Sequence, residues 1–233
     1  MQTPAERFLI NAVADFLKRP FRDVPLLLNV GAGTSVVIER ALTATGRPYL
    51  EDRVDIVDCW VSEAPLRQSF VASVTTMPML ASNSYDLAFA NYVLEHVADV
   101  RRAADEIQRV LKLGGLFVLS TPNPQAPEFI VSRLTPLWFH QLVKGQGDTA
   151  YETHYAYRSI EELIGLFQQK GFQLVVEVYY PFTFNYLGRF PMLNWLSRGY
   201  DTIVDLLHLR RLMGNVGLIF QKHLLLDNNT QHV

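Results

Sequence analysis

Leu26-Leu27-Leu28-Asn29-Val30-Gly31-Ala32-Gly33-Thr34 decides the fold. The stretch from Pro25 is a short apolar run ending in glycine, which reads as a buried central strand. The turn after it carries almost no side chain, so a ligand can approach the backbone closely. Ser35 then leads into a helix carrying Val36, Val37, Ala41 and Leu42. A strand apolar on both faces implies a parallel sheet covered by helices on both sides. A strand–GxG–helix turn is generic by itself, and two neighbouring residues narrow it. Val36 stands where a nicotinamide-binding fingerprint needs Gly or Ala, and no Gly-Lys-Ser/Thr follows to make a P-loop.

Working outward, helix and strand signals alternate, as expected for an α/β domain. Phe8-Leu9, Val13 and Phe16-Leu17 recur at helical spacing within residues 5–18 and predict an amphipathic first helix. A second strand is expected over Val54–Asp58, a third over Phe70–Val74 and a fourth over Tyr85–Asn91. The next helix places Ala103, Ile107, Val110 and Leu111 on one face, with Gly114-Gly115 expected to stop it before a fifth strand, Leu116–Ser120. Ser159 and Glu162 form a capping-box pattern ahead of Leu163, Ile164 and Phe167, and Gly171 closes that helix. Phe172–Pro181 and Val216–His223 read as strands six and seven.

Composition bounds the remaining classes. Apolar residues at 49% and charged residues at 19% over 233 residues suit one globular domain and exclude a disordered chain. A net charge of −2 gives no reason to expect a nucleic-acid partner; Arg101-Arg102 and Arg210-Arg211 read as solvated helix faces. The single cysteine, Cys59, excludes an internal disulfide and a cysteine-based zinc cluster, which suits a cytoplasmic setting. Glu6, Arg7, Asp15, Lys18 and Arg19 interrupt the first twenty residues, so no secretory leader is expected. The sequence holds no run of about 18 uncharged apolar residues to make a spanning helix.

The company of the glycine turn makes it specific. The chain resembles the class I S-adenosylmethionine-dependent methyltransferases of the quinone-biosynthesis and general small-molecule type. Leu26–Thr34 is similar to their first motif, Val54-Asp55-Ile56-Val57-Asp58 to their second strand, and Ser73-Val74-Thr75-Thr76-Met77-Pro78 to the stretch after strand three. Tyr85–Val97 resembles their fourth strand and helix entry, and Val110–Gly115 the motif before strand five. The likeness covers about residues 25–125 and extends more weakly through His154, Arg158-Ser159 and Gly171-Phe172.

The resemblance implies a Rossmann-like, doubly wound seven-stranded sheet, mostly parallel with an antiparallel last strand. It implies S-adenosylmethionine as cofactor, with Asn29, Gly31, Ala32 and Gly33 around its amino-acid part, Asp58 on the ribose, Ser73 and Val74 at the adenine edge, and Asn91 beneath the methionine portion. Asp55, placed mid-strand, is the alternative ribose acid. Asn29 replaces the family's usual Asp, Ser35 a glycine, and Ser73 an acid that commonly holds the adenine amino group. These departures keep open a catalytically silent member acting as a binding or partner subunit.

Methyl transfer from a sulfonium needs alignment more than acid–base help, and no catalytic triad is visible. His154 and His96 are the candidate bases, and neither has a metal-ligand partner at useful spacing, so no metal is expected. Residues 1–226 are expected to form a single domain, with lid segments 122–157 and 182–214 and a frayed tail over 227–233. Phe129, Trp138, Phe139, Phe182, Phe184, Tyr186, Phe190 and Trp195 give the lid apolar walls suited to an aromatic, quinone-like or lipid-linked small-molecule acceptor, or else complete the core. Leu193, Leu196, Tyr200, Ile203-Val204 and Leu207 share a helical face, opposed by Arg198, Asp201, Asp205 and Arg211; its acids argue against strong contact with an anionic membrane surface.

Overall fold

Strand β1 (Leu26–Val30) forms where the apolar run predicts it and sits in the middle of the sheet. Leu27 and Leu28 point to opposite faces yet are both fully buried, so both faces are covered. Around β1 lie β2 (Leu50–Asp55), β3 (Leu66–Val71), β4 (Tyr85–Asn91), β5 (Leu111–Pro122), β6 (Phe172–Tyr180) and β7 (Asn215–Lys222), in the order β3-β2-β1-β4-β5-β7-β6. β1 pairs in parallel with β2 and β4, β2 with β3, and β4 with β5, while β7 runs antiparallel between β5 and β6. This is the expected doubly wound sheet with an antiparallel last strand. The computed structural model describes residues 2–62, 65–127, 129, 153–183 and 191–223.

The helices follow from capping and apolar spacing. In α1 (Pro4–Leu17), Thr3 accepts from the Glu6 amide and Pro4 opens the first turn, where its missing N–H costs nothing. Leu9, Val13 and Phe16 of α1, with Leu42 of α2 (Val37–Thr43), cover Leu27, Phe89 and Val118 on one sheet face. On the other face, Ala103 and Ile107 of α3 (Val100–Val110) and Leu163 and Phe167 of α4 (Ile160–Gln169) meet Leu28, Ala88 and Phe117. Phe167 stacks 4.9 Å from Phe220 and 5.4 Å from Phe117, which locks α4 to β5 and β7. The Ser159 cap forms as expected, its hydroxyl accepting from the Glu162 amide. The Glu162 carboxylate reaches back to the Arg158 amide rather than to that of Ser159.

Three boundaries differ from expectation. β2 covers Leu50–Asp55, not Val54–Asp58, because Glu51, Asp52 and Arg53 are buried within the strand. Asp52 is satisfied there by the Tyr85 hydroxyl at 2.6 Å and by Arg67 Nε at 2.9 Å, so its charge does not mark a loop. β3 likewise starts and ends earlier than predicted, over Leu66–Val71. Gly114-Gly115 do not stop a helix, since α3 ends at Val110 and β5 begins at Leu111. They lie where the β4–β5 register shifts, and a Cβ on Gly115 would stand 2.8 Å from the Lys112 carbonyl oxygen and 3.2 Å from that of Asp86.

Helix α5 (Pro191–Leu206) forms, and its apolar face is covered only in part. Of that face Val204 is buried and Tyr200 half-buried, whereas Leu196, Ile203 and, just past the helix, Leu207 are exposed; the Leu193 side chain lies outside the described residues. No helix among the described residues is long and apolar enough to cross a membrane.

The strand order makes β1 and β4 neighbours whose connections leave in opposite directions. Such a switch point leaves a crevice outside the carboxyl ends of the strands, the usual ligand position in an open α/β sheet.

Candidate functional site

A cavity of about 320 Å³ lies at that switch point, within the range of about 300–1,000 Å³ of small-molecule pockets. Four strand ends supply its walls. Gly31 follows β1; Val54, Asp55 and Ile56 close β2; Ala72 to Thr75 follow β3; Tyr92, Val93 and His96 to Asp99 follow β4. His154 completes the rim. Its amide, with that of Tyr155, donates to the Glu95 carbonyl oxygen, which fixes this segment on the turn after β4.

The glycine turn has the conformation its sequence demands. Gly31 and Gly33 adopt φ of 65° and 52°, where other L residues are strained. The Gly31 and Ala32 amides donate to the Val54 carbonyl oxygen at 2.8 and 3.3 Å, and the Gly33 amide to the Asp55 carboxylate at 2.8 Å. A Cβ on Gly31 would stand 2.4 Å from Val93 Cγ2, so the absent side chain also gives room to the opposite wall. The turn is therefore bonded to the end of β2 and packed against the loop after β4.

A second strained residue faces the same space. Tyr92 has φ of 57°, and its hydroxyl pairs with Thr3 Oγ1 at 2.8 Å. Burial pushes that phenol well above the ordinary tyrosine range. Strain of this kind persists only where surrounding bonds hold it, and it concentrates at functional sites.

Of the predicted residues, Gly31, Ser73, Val74, His96 and His154 line the cavity. Gly33 reaches it through its bond to Asp55. Asn29 and Ala32 are buried behind the turn, where Asn29 Nδ2 donates to Glu39 Oε1 at 2.7 Å. The Asn91 side chain is taken up by Ser120 Oγ at 2.5 Å and Glu6 Oε1 at 3.4 Å. Asp58 lies exposed in the loop beyond β2 and accepts from the Trp60 amide at 3.0 Å, while Asp55 ends the strand and lines the cavity. Of the predicted lid aromatics, Phe129 and Phe182 stack at 6.2 Å and Trp195 is exposed. Trp138, Phe139, Phe184, Tyr186 and Phe190 lie outside the described residues.

Sequence reasoning missed Tyr92, Val93 and Asp99, and also Thr3 and Glu6, which bring α1 to the site. The Asp99 carboxylate caps α3 by accepting from the Arg102 amide and also borders the cavity. That cap, an acid one residue before a helical run, was a legible signal. The contact between α1 and the loop after β4 was not legible, because it joins Thr3 to Tyr92 across the fold.

Residues 1–177 match the family model described as a methyltransferase domain. Over 102 residues the chain is 31% identical to the demethylmenaquinone methyltransferase of Paenarthrobacter aurescens (strain TC1), covering 40% of each chain. Over 115 residues it is 29% identical to the mitochondrial arginine-hydroxylase NDUFAF5 of Rattus norvegicus, covering 46% of this chain and 31% of that one. The matched segments thus span about a third to two-fifths of these relatives' length. A solved S-adenosylmethionine-dependent methyltransferase from Mesorhizobium loti shares the fold with a TM-score of 0.59 at 15% identity, over 92% of this chain and 98% of that one. With the family match running from residue 1 to within β6, the chain belongs to the methyltransferase domain family.

Proposed function

We propose that the switch-point cavity binds S-adenosylmethionine and that the chain transfers its methyl group to a small-molecule acceptor, aromatic, quinone-like or lipid-linked. One observation carries the reading: the glycine turn, the acid ending β2 and the polar loop after β3 all face one cavity. In this reading the Gly31–Gly33 backbone meets the amino-acid part of the cofactor, and the Val74 amide, with Ser73, meets the adenine edge. Asp55 rather than Asp58 takes the ribose hydroxyls, because a carboxylate at a strand's end can accept two hydroxyl bonds in one geometry. The cofactor when bound supplies a methyl already activated on a sulfonium. The protein's task is alignment, which contributes up to about 7–11 kcal/mol by avoiding entropy loss in the reacting complex.

The Paenarthrobacter relative, named for a demethylmenaquinone, favours a quinone-like acceptor. His96 and His154 line the cavity, and in this reading one of them takes a proton from an acceptor hydroxyl.

A second reading rests on the departures. Asn29 spends its amide on Glu39 in the core, and Ser73 Oγ pairs with Thr75 Oγ1 at 2.8 Å. These support a chain that binds cofactor and serves as a partner subunit without turnover. Calorimetric titration with S-adenosylmethionine, followed by label transfer to a panel of quinols and phenols, separates the two. Binding with transfer supports the enzyme, binding without transfer supports the partner, and no binding contradicts the enzyme and leaves a partner that holds no cofactor.

A further inference from the structure

Arg53 occupies an unusual place for a cation. Among the described residues it is the largest fully buried side chain, at 0% exposure in the middle of β2. A guanidinium cannot shed its charge in a protein, so every contact around it has to compensate for lost water. Nη2 lies 2.7 Å from the Ser35 carbonyl oxygen, 2.9 Å from that of Ala32 and 3.3 Å from that of Gly33. Nη1 pairs with Glu39 Oε1 at 3.3 Å, and Asn29 Nδ2 donates to the same oxygen at 2.7 Å. Glu51, two residues earlier and hence on the same face of β2, is equally buried and interacts with Glu39.

All three carbonyls belong to the glycine turn, the segment with the fewest side chains to hold its shape. We propose that Arg53 is a positioning residue for the cofactor turn: its guanidinium fixes the carbonyls of Ala32, Gly33 and Ser35 on the buried side and so holds the turn in binding shape before ligand arrives. A planar trans peptide points its N–H opposite to its C=O. Drawing the Gly33 and Ser35 carbonyls down onto the guanidinium therefore aims the Thr34 and Val36 amides away from it. The Gly33 amide shows the result, bonded on the far side of its peptide plane to Asp55. Glu39 holds the guanidinium in place, and Asn29 holds Glu39, which gives a role to the residue that departs from the family pattern. A turn ordered in advance loses less entropy on binding.

The inference deepens the functional reading above and rests on it for the ligand, but not for the turn. The test uses the full chain with Arg53→Met, which removes the fork, and Arg53→Lys, which keeps the charge but replaces the planar fork with a point donor. Two quantities are read: affinity for S-adenosylhomocysteine by calorimetry, and amide exchange of Gly31, Ala32 and Gly33 without ligand. In Arg53→Lys, exchange at the turn should quicken while β1, β4 and β5 stay protected, and affinity should fall about tenfold, a loss of about 1.4 kcal/mol. Arg53→Met should lose more on both counts. Unchanged turn exchange in a folded variant overturns the proposal. Uniform loss of protection across β1, β4 and β5 in both variants also overturns it, in favour of a guanidinium that holds only the core. If the natural chain binds no S-adenosylhomocysteine, the functional reading fails while the exchange arm still decides the role of Arg53.

Discussion

The Gly33 amide donates to the Asp55 carboxylate at 2.8 Å, so the glycine turn and the end of β2 are held as one unit. The same carboxylate borders the cavity and is the proposed ribose acceptor. Asp55→Ala should therefore weaken S-adenosylhomocysteine binding by about 10–100-fold, since a bond to a charged group contributes about 1.5–3 kcal/mol. Asp58→Ala should stay within about twofold of the natural chain, because Asp58 bonds only within its own loop. Calorimetry on the two variants checks this, and the reverse order of effects would contradict it.

Much of this unit was legible in the sequence. The apolar run into Gly31 announced β1, and the order of motifs announced the sheet. The end of the second strand was misplaced for a physical reason. The expected strand, Val54–Asp58, leaves out the charged Glu51-Asp52-Arg53, whereas the strand begins at Leu50 and ends at Asp55. Asp52 and Arg53 are buried because each has a partner distant in sequence: Asp52 with Arg67 and Tyr85, and Arg53 with Glu39 and the turn carbonyls. Periodicity cannot report such pairings. The apolar stripe of α5 was legible, but such a stripe does not say which of its residues the rest of the fold covers.

The two glycines of the turn should respond differently to alanine. Both have positive φ, which costs an L residue about 1–2 kcal/mol. At Gly33 nothing stands within 4 Å of an added Cβ, whereas at Gly31 it would meet Val93 Cγ2 at 2.4 Å, on a β-branched side chain with little freedom to turn. Gly31→Ala should lower both the thermal midpoint and cofactor affinity more than Gly33→Ala. Equal losses in thermal unfolding and calorimetry would contradict the close packing of turn and wall.

Glu51 predicts a dependence of stability on pH. Burial, reinforced by the Glu39 charge and opposed by Arg53, pushes its carboxyl from 4.5 up to about 9. The folded chain thus keeps a proton that the unfolded chain releases. This group's contribution is fully present below about pH 4.5 and is lost as pH rises through about 9. Glu51→Gln, which cannot ionise and can donate to Glu39, should flatten the decline in thermal midpoint across that window and leave the variant more stable at pH 9. An identical slope in both proteins would show that Glu51 does not hold the proton.

His96 and His154 carry a prediction about turnover. With an acceptor that has a proton to lose, replacing both by Gln should lower kcat by about 10²-fold or more while S-adenosylhomocysteine affinity stays within about twofold. Each single variant then assigns the base. Turnover unchanged in the double variant would mean that the acceptor needs no base, and that alignment alone drives transfer.

The site itself is tested most directly by amide chemical-shift mapping of the labelled chain titrated with S-adenosylhomocysteine. Saturable shifts are predicted at Gly31, Gly33, Asp55, Ser73 and Val74, with Asp58 quiet. Spectra that do not change, or shifts confined to residues away from the ends of β1, β2 and β3, would contradict the assignment of this cavity to the cofactor.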